Sequence, residues 1–433
     1  MRFFTKRTSA LVATASIMAM VGTATFTGPA GAAATREGSS VNYLQLSNDK
    51  PSWTKGINAI GKVLATLDGG TGWQAQSYAS TTAFQGVVRA AATTSQAPPV
   101  FTWWSGQQLV PLVKAGALAN MTSMVKVWET KYGLNPDVEN AYEVNGQYYG
   151  APLYTSDWVM YYNKADFAKY GLGGAPMTWA QLMSDAATLK AHGIAPFHYD
   201  VDDWAGFIWF EQFLLSESPT AYHQLVLGQI SYTSAPVVKA MEAWKQVADL
   251  GYFSTAQDID TALSTPVSFA NGSTAMLLIG SWQEGTLIKA GMVPGKDFGA
   301  FIVPPINPAV GWQAIFETGP VVVSAHNANE QAALNSVNTF MEPSVQVKWD
   351  ALESFVSAES SVHTTDPTAI AVANEIKAEH VHLWNRYWEA TPPEIAVPVA
   401  SDLSKFILNP NLPLMPFLQT LQDVATSYWS TAK

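Results

Sequence analysis

The chain has 433 residues, which suits two domains rather than one, and its 48% apolar content gives each domain material for a core. Charged residues reach only 13%, about half the usual share of a soluble domain. The formal net charge is −11 and the sequence has no basic cluster. Both features argue against a nucleic acid partner, because phosphate binding needs clustered cations.

The first 34 residues are expected to be a secretory signal peptide. Arg2, Lys6 and Arg7 form a basic start, residues 11–21 are apolar, and residues 29–34 offer small-residue cleavage sites. A retained N-terminal anchor is the alternative, although the apolar run is short for a membrane span. The sequence therefore predicts an exported protein, either periplasmic or extracellular and held at the cell surface.

The sequence contains no cysteine. Disulfides, thiol catalysis and thiol metal sites are therefore excluded for this chain. The same absence excludes a lipid anchor on cysteine, and the fold must be stabilised by its cores.

Strands and helices alternate after the leader. Residues 41–46 are β-rich, and the apolar spacing that follows Trp53 predicts a helix. Residues 73–78 alternate, residues 82–92 form an alanine-rich helix, and residues 100–104 form a third strand. This alternation predicts a parallel sheet with right-handed crossovers, whose ligands bind beyond the carboxyl ends of the strands.

A tyrosine-rich segment, NGQYYGAPLYTSDWVMYYNKADF, follows at residues 145–167 and contains an extended stretch that is predicted to break at Pro152. The strand–helix pattern then restarts. Thr178 and Gln181 are predicted to form a capping box at the start of a helix. The segment SFANGSTAMLLIGSW, residues 268–282, is predicted to be a helix end, a turn and a buried strand that leads to Trp282.

The last third of the chain is predicted to be mostly helical. A strand at residues 319–324 precedes a helix that is capped by Asn327. Helices then continue to residue 429, with breaks at Pro392 and Pro413.

Catalytic motifs are absent from the sequence. It contains no phosphate-binding loop, no nucleophile elbow and no zinc-protease motif, and the Ser-x-x-Lys match at Ser52 lacks its companion motifs. We therefore expect a protein that is not an enzyme, with no catalytic residue, metal or cofactor. A secreted carbohydrate-active hydrolase with a carboxylate pair remains the alternative, because an acidic protein can bring two acids together.

Four segments resemble motifs of the extracellular solute-binding proteins of ABC importers, specifically the sugar-binding group that includes the maltodextrin-binding proteins. They occur in the family's order and are PPVFTWWSGQQLVPLVKAGALANMT, NGQYYGAPLYTSDWVMYYNKADFAKYGL, APMTWAQLMSDAATLKAHGIAPF and FANGSTAMLLIGSW.

The resemblance implies a two-lobed α/β fold of the type II periplasmic-binding-protein class. Each lobe would be a sheet flanked by helices, and hinge crossovers near Pro152 and Gly319 would join the lobes. The implied lobes are discontinuous: residues 35–151 with 316–360, and residues 152–315 with 361–433.

The resemblance also implies a function. A protein of this kind captures a di- or oligosaccharide in the cleft between its lobes, as a monomer, and delivers it to the ABC permease subunits in the membrane. Aromatic side chains would stack on the sugar, and polar side chains would bind its hydroxyl groups.

The family pattern and the ends of the strands together indicate candidate ligand contacts. These are Asn48, Asp49, Trp53, Trp103, Trp104, Ser105, Tyr154, Ser156, Asp157, Asp203, Trp204, Trp282 and Glu317. Core packing is the alternative for each tryptophan and is as good an interpretation for Trp53 and Trp104. Core packing is the preferred interpretation for Tyr161 and Tyr162.

Overall fold

The structure is a computed structural model that describes residues 42–67, 70–199, 205–254, 267–353, 355–409 and 411–431. The expected signal peptide lies outside these residues. Within the described part of the chain, no helix is both long enough and apolar enough to cross a membrane.

Most described strands belong to one mixed sheet. The strands are β1 (Asn42–Asn48), β2 (Thr71–Ser77), β3 (Val100–Thr102), β4 (Glu143–Val144), β5 (Gln147–Tyr148), β6 (Ala151–Asn163), β7 (Ala195–Phe197), β8 (Thr274–Gly280), β9 (Phe298–Phe301), β10 (Gln313–Val323) and β11 (His382–Asn385). The sheet order is β2-β1-β3-β10-β6-β8-β7, with β11 paired to β10 and β9 paired to β6, while β4 and β5 form a separate hairpin.

The sheet is parallel only in part. The first three strands are parallel, as predicted, whereas β10 runs antiparallel to both β3 and β6. Strand β6 is also antiparallel to β8 and β9. The two long strands β6 and β10 therefore join the parts of the sheet.

Helices cover the sheet. They are α1 (Thr54–Thr66), α2 (Thr81–Ala91), α3 (Val110–Lys114), α4 (Thr122–Tyr132), α5 (Pro136–Asn140), α6 (Lys164–Lys169), α7 (Trp179–Ala191), α8 (Ala205–Glu217), α9 (Pro219–Val226), α10 (Ala235–Asp249), α11 (Val267–Ala270), α12 (Glu284–Lys289), α13 (Glu330–Phe340), α14 (Pro343–Glu353), α15 (Pro367–Ala378), α16 (Tyr387–Ala390), α17 (Pro393–Leu408) and α18 (Leu414–Trp429).

The predicted start of α7 is confirmed. The Thr178 hydroxyl accepts a hydrogen bond from the Gln181 amide at 3.1 Å, so the first turn has the expected cap. The Gln181 side chain accepts from the Met177 amide at 3.2 Å, one residue before the position that a capping box requires.

The prediction that the extended segment breaks at Pro152 is wrong. Strand β6 continues through Pro152, which lies opposite Pro320 where the register with β10 shifts. Since both prolines lack an amide proton, their pairing leaves no donor without a partner. Strand β11, in the tail that was predicted to be mostly helical, is a further difference.

The buried apolar side chains form two clusters. The first core draws on residues 44–153 and 316–358, and the second core draws on residues 158–315 and 372–425. Trp349 belongs to the first core and Trp244 to the second, so the core packing of both is observed.

Strands β6 and β10 contribute to both cores. In β6, Leu153 lies in the first core and Val159 in the second. In β10, Val321 lies in the first core and Ile315 in the second. The middle of this strand pair therefore lies at the junction of the two cores.

Candidate ligand-binding site

The register of β6 and β10 places three candidate side chains together. Tyr154 lies opposite Gly319, and Ser156 lies opposite Glu317. Residues directly opposite each other in an antiparallel pair project to the same face of the sheet, and so do alternate residues along a strand. Tyr154, Ser156 and Glu317 therefore share one face, and a side chain at Gly319 would clash with the Tyr154 ring.

A small recess lies on this face, where β1 and β3 end. Its lining residues are Asp49, Lys50, Trp53, Thr102, Trp103, Trp104, Leu153, Tyr154 and Gly319. The recess has a volume of about 20 Å³, which is room for about one water molecule. Five of the predicted contacts are thus brought together at the carboxyl ends of parallel strands.

Trp53 and Tyr154 form an aromatic wall of the recess. Their ring centroids are 5.6 Å apart in an edge-to-face arrangement. Behind them, Phe355 stacks on Tyr154 at 5.2 Å and meets Trp53 edge-on at 5.5 Å. Trp53 is half-buried, so core packing holds one part of its ring while another part faces the recess.

The two neighbouring tryptophans after β3 differ in their surroundings. Trp103 is only 4% exposed, and its indole nitrogen donates to the Gln108 carbonyl at 2.8 Å. Trp104 is half-buried and lies 5.2 Å from the Trp103 ring. Trp104 therefore offers more accessible ring surface, and Trp103 supports it from the core.

The loops at the ends of β1 and β3 contain buried polar atoms without partners. Asn48 uses its carbonyl oxygen to accept from the Lys50 amide at 2.9 Å, but its Nδ2 has no hydrogen-bond partner in the described residues. The Ser105 hydroxyl is buried and also has no described partner. Asp49 accepts from the Thr81 hydroxyl at 2.6 Å. An unsatisfied buried polar group costs about 1–3 kcal/mol, so these atoms favour a ligand that can hydrogen-bond.

Arg386 forms ion pairs with two glutamates beside the recess. One of its terminal nitrogens contacts Glu317, and its Nε lies 2.9 Å from a Glu389 carboxylate oxygen. The guanidinium also lies over the Trp158 ring, 5.7 Å from its centroid. Arg386 is 8% exposed, so this triad is nearly dry.

The triad was missed by the sequence analysis. Arginine is rare in this chain, and after residue 36 it occurs only at positions 89 and 386. The segment Trp384-Asn-Arg-Tyr-Trp-Glu389 surrounds this rare cation with aromatic rings and an acid. That composition was the available signal, since buried arginines need paired anions.

The triad contains one more carboxyl group than it has cations. Burial raises the pKa of Glu317, and the Arg386 guanidinium opposes that rise. One guanidinium faces two carboxyl groups, so hydrogen-bond donors from a ligand would stabilise the ionised form. Glu211, below the triad, accepts from the Tyr387 amide at 2.9 Å and fixes the turn that carries Arg386.

Trp282 lies next to the triad. It is half-buried, packs against both cores and lies 6.4 Å from Trp158 in an edge-to-face arrangement. Its side chain hydrogen-bonds the Glu317 carboxyl group. Its backbone amide lies 3.4 Å from the Ser156 hydroxyl, which is also within 3.1 Å of the Ser281 hydroxyl.

The loop after β3 touches the turn at α16. The Gln108 side chain donates to the Trp388 carbonyl at 3.1 Å, and Gly106 packs against Glu389. Gly106 has a φ of 59°, and a side chain there would clash with the Glu389 backbone. Segments that belong to the first and second cores are therefore in contact across the site.

Three predicted contacts are placed neither at the recess nor beside it. Asp157 follows Ser156 in β6, so strand alternation turns it to the opposite face, where it lines a different cavity. Asp203 and Trp204 lie outside the described residues. Within the described ranges, no group of three acidic or histidine side chains is arranged to hold a metal ion.

Comparison with known proteins gives a family. The family described as bacterial extracellular solute-binding protein matches residues 54–377. A Brucella suis protein named a probable sugar-binding periplasmic protein is 24% identical over 281 residues, which cover 61% of this chain and 64% of that protein. A Pyrococcus horikoshii protein named an uncharacterized ABC transporter extracellular-binding protein is 26% identical over 213 residues, which cover 48% of this chain and 47% of that protein. The matched regions thus span about half to two thirds of these relatives.

Solved structures share the fold. A chitin oligosaccharide binding protein gives a TM-score of 0.78 at 19% identity, covering 89% of this chain and 98% of that one. A maltose-bound protein of T. maritima gives a TM-score of 0.72 at 15% identity, covering 89% of this chain and 99% of that one. The predicted fold class, a two-lobed α/β fold of the type II periplasmic-binding-protein class, is confirmed.

The stability of the protein should fall as the pH rises from 5 to 8. Burial raises the pKa of Glu211 from an ordinary value of 4.5 to about 8, and that of Asp157 from 3.8 to about 6. Such groups bind their protons more tightly in the folded state than in the unfolded chain. Their stabilising effect is complete below the ordinary pKa and is lost as the pH rises through the folded value. Melting curves followed by circular dichroism should give a higher Tm at pH 5.

Glu211→Gln is the matched variant for this prediction. The amide keeps the shape of the side chain and an acceptor for the Tyr387 amide, but it cannot ionise. The Tm of the variant should fall less between pH 5 and pH 8 than that of the unmodified protein. A Tm of the unmodified protein that rises toward pH 8 would contradict the burial account.

Proposed function

Because the chain belongs to the bacterial extracellular solute-binding protein family, we propose that it is the substrate-binding component of an ABC sugar importer. It holds a di- or oligosaccharide between the first and second cores. It acts outside the cytoplasmic membrane as an exported monomer and passes the sugar to the permease subunits. It performs no chemistry on that sugar.

The observation that carries this proposal is the convergence of tryptophan rings and buried polar atoms on one face of β6 and β10. A pyranose has an apolar face of C–H groups and a rim of hydroxyls that both donate and accept. Flat aromatic rings match this face. Each stacked contact contributes about 0.5–1.5 kcal/mol of binding free energy in addition to the contribution of the buried apolar area. The carboxylates of Glu317 and Glu389, the Asn48 amide and the Ser105 hydroxyl match the rim.

The recess is a better sugar site than the larger cavity behind β6. Trp53, Trp103 and Trp104 line the recess, whereas no tryptophan occurs among the described residues that line the cavity. The cavity also lacks arginine and lysine among those residues. The aromatic rings and the mixture of hydrogen-bond donors and acceptors therefore favour the recess as the sugar site.

A sugar requires the two cores to separate. The recess holds about 20 Å³, whereas small-molecule sites measure about 300–1,000 Å³. We assign the motion to a hinge where β6 and β10 pass between the cores, at Gly150, Pro152, Gly319 and Pro320. The moving bodies are residues 35–151 with 316–360, and residues 152–315 with 361–433.

The proposed contacts follow from this placement. Trp53, Trp104, Tyr154 and Trp282 are the stacking rings, and Trp103 supports Trp104. The proposed polar contacts are Asn48, Asp49, Ser105, Ser156 and Glu317, with Asp203 and Trp204 from the segment outside the described residues. We add Arg386 and Glu389 to these proposed contacts, because Arg386 forms buried ion pairs with both Glu317 and Glu389.

A carboxylate-pair hydrolase is the second candidate. One observation in its favour is that burial raises the pKa of Glu317, as a general acid requires. A second is that Glu389, which forms an ion pair with the same Arg386 guanidinium, supplies another carboxyl group nearby. The Arg386 contact works against this role because it stabilises the ionised carboxylate.

Incubation with sugar separates the two candidates. The protein should leave its best-binding sugar intact overnight, as judged by chromatography. Product that accumulates in proportion to protein concentration, and that is lost in Glu317→Gln, would establish the hydrolase instead.

A thermal-shift screen with mono- to tetrasaccharides tests sugar binding directly. A ligand that binds only the folded state raises the free energy of unfolding, and therefore Tm. At a ligand concentration of one hundred times Kd, the gain in free energy is about 2.7 kcal/mol. At least one di- or oligosaccharide should raise Tm in a concentration-dependent way. No shift with any sugar of a broad panel would count against the proposed substrate class.

Trp282→Ala should weaken binding of that sugar about thirtyfold. Truncation of a central aromatic anchor commonly costs about 2 kcal/mol or more of binding free energy. Calorimetric titration measures the affinity, and a melting curve reports the fold. Trp179→Ala is the matched control, since Trp179 is also half-buried but packs on Phe213 in the second core. Equal affinity in both variants would remove Trp282 from the site.

A further inference from the structure

Two buried side chains hold the backbone on either side of Arg386. Glu211 on α8 is 0% exposed, and its Oε2 accepts from the amide of Tyr387, the residue after Arg386, at 2.9 Å. Tyr222 on α9 donates its hydroxyl proton to the carbonyl of Asn385, the residue before Arg386, at 2.6 Å. The position of Arg386 therefore depends on side chains from α8 and α9.

The same short segment is also fixed to β10. The Arg386 amide donates to the carbonyl of Phe316, the residue before Glu317, at 3.0 Å. The guanidinium lies 5.9 Å from the centroid of the Phe207 ring on α8. Helix α8 thus contacts both the backbone beside Arg386 and its charged group, so a change at Glu211 is transmitted to the ion pair with Glu317.

The hydrogen bonds around Glu211 require a neutral carboxyl group. The Tyr222 side chain also hydrogen-bonds this carboxyl group. Since Tyr222 has one hydroxyl proton, which goes to Asn385, the carboxyl group is the donor in that bond. The Oε1 of Glu211 accepts no hydrogen bond from any described residue, so an ionised carboxylate would leave buried charge without a partner. Burial accordingly raises the pKa of Glu211 to about 8.

The charged groups near Glu211 belong to the triad. The Arg386 guanidinium favours its ionised form, and Glu389 disfavours it. The Tyr387 hydroxyl is bonded to the Tyr232 hydroxyl, and burial raises the pKa of Tyr387 and of Tyr222. Helices α10 and α17 also pack on α8, and none of their described buried side chains is ionisable. Ionised Glu211 would therefore be a third carboxylate competing for one guanidinium.

We propose that Glu211, as a neutral acid, positions Arg386 for the sugar, and that loss of its proton weakens sugar binding. This inference rests on the proposed sugar function. Ionisation removes the hydrogen bond that the carboxyl group donates to Tyr222, and the new charge attracts the guanidinium away from Glu317 and Glu389. Because Glu211 is fully buried, it acts through Arg386 and is a positioning residue.

Calorimetric titration at pH 6 and pH 9 tests this role, with the saccharide that gives the largest Tm shift in the screen as the probe. Glu317 titrates in every variant, so the Kd of the unmodified protein is divided by that of Glu211→Gln at each pH. This ratio should be near one at pH 6 and about five at pH 9, because the amide keeps a donor and an acceptor and cannot ionise. The same ratio at both pH values would overturn the proposal.

Asp185→Asn is the matched control. Asp185 is an acid on α7 in the second lobe that is only 8% exposed, and burial raises its pKa. The ratio for this variant should not change between pH 6 and pH 9. An equal change in the Asp185→Asn ratio would indicate a general effect of buried acids and would overturn the specific role of Glu211.

Glu211→Leu removes both hydrogen bonds and should bind the same saccharide more weakly than Glu211→Gln at both pH values. Equal affinity of a folded Glu211→Leu and the unmodified protein at pH 6 would overturn the positioning role. If Glu211→Leu does not fold by circular dichroism, the comparison with Glu211→Gln still decides the question.

The nuclear magnetic resonance signal of the Arg386 Nε–H group gives a readout that needs no sugar. After residue 36, arginine occurs only at positions 89 and 386, so labelling with 15N-arginine and the variant Arg89→Lys assign the signal. The signal should shift with a midpoint near pH 8 in the unmodified protein, and this step should be absent in Glu211→Gln. The step without binding of any saccharide would contradict the proposed function, whereas identical profiles in both proteins would overturn the positioning role.

Discussion

The antiparallel pairing of β6 and β10 is the constraint on which the site depends. The two strands run in opposite directions between the first core and the second, so their register fixes which side chains lie at the junction. Ser156 lies opposite Glu317 on the face of the recess, and Asp157 lies on the rear face. A slip of one residue in β6 would exchange these faces and take Tyr154 away from the recess. The candidate site and the larger cavity on the opposite face of β6 are therefore both set by one register.

The two faces of β6 differ in chemistry. The front face has tryptophan rings and Arg386 held between two glutamates, an arrangement with both donors and acceptors. The rear face has carboxyl groups with no described arginine or lysine along the cavity. Neutral hydroxylated ligands suit the first arrangement, because each hydroxyl both donates and accepts. The same strand thus separates an aromatic face with mixed charges from an acidic face by alternation alone.

Local sequence patterns predicted the parts of the fold that local physics determines. The first three strands and the Thr178 cap follow from residue spacing, and the recess at the ends of β1 and β3 follows from parallel topology. The contact of Arg386 with Glu317 joins distant parts of the chain, so no local pattern contained it. The orientation of Asp157 depends on the register of β6, and the tolerance of Pro152 depends on its opposite neighbour, Pro320. Those features depend on tertiary contacts, and local patterns in a single sequence do not reveal them.

A crystal structure of the protein with its best-binding sugar tests the central claim most directly. The account predicts a sugar ring on the face of β6 that carries Tyr154 and Ser156, stacked on Trp282 or Trp53. Its hydroxyls should be within hydrogen-bond distance of Glu317 or Arg386, with the two cores farther apart than the recess of about 20 Å³ allows. Sugar bound in the larger cavity on the opposite face of β6, or at a surface without these tryptophans, would contradict the account.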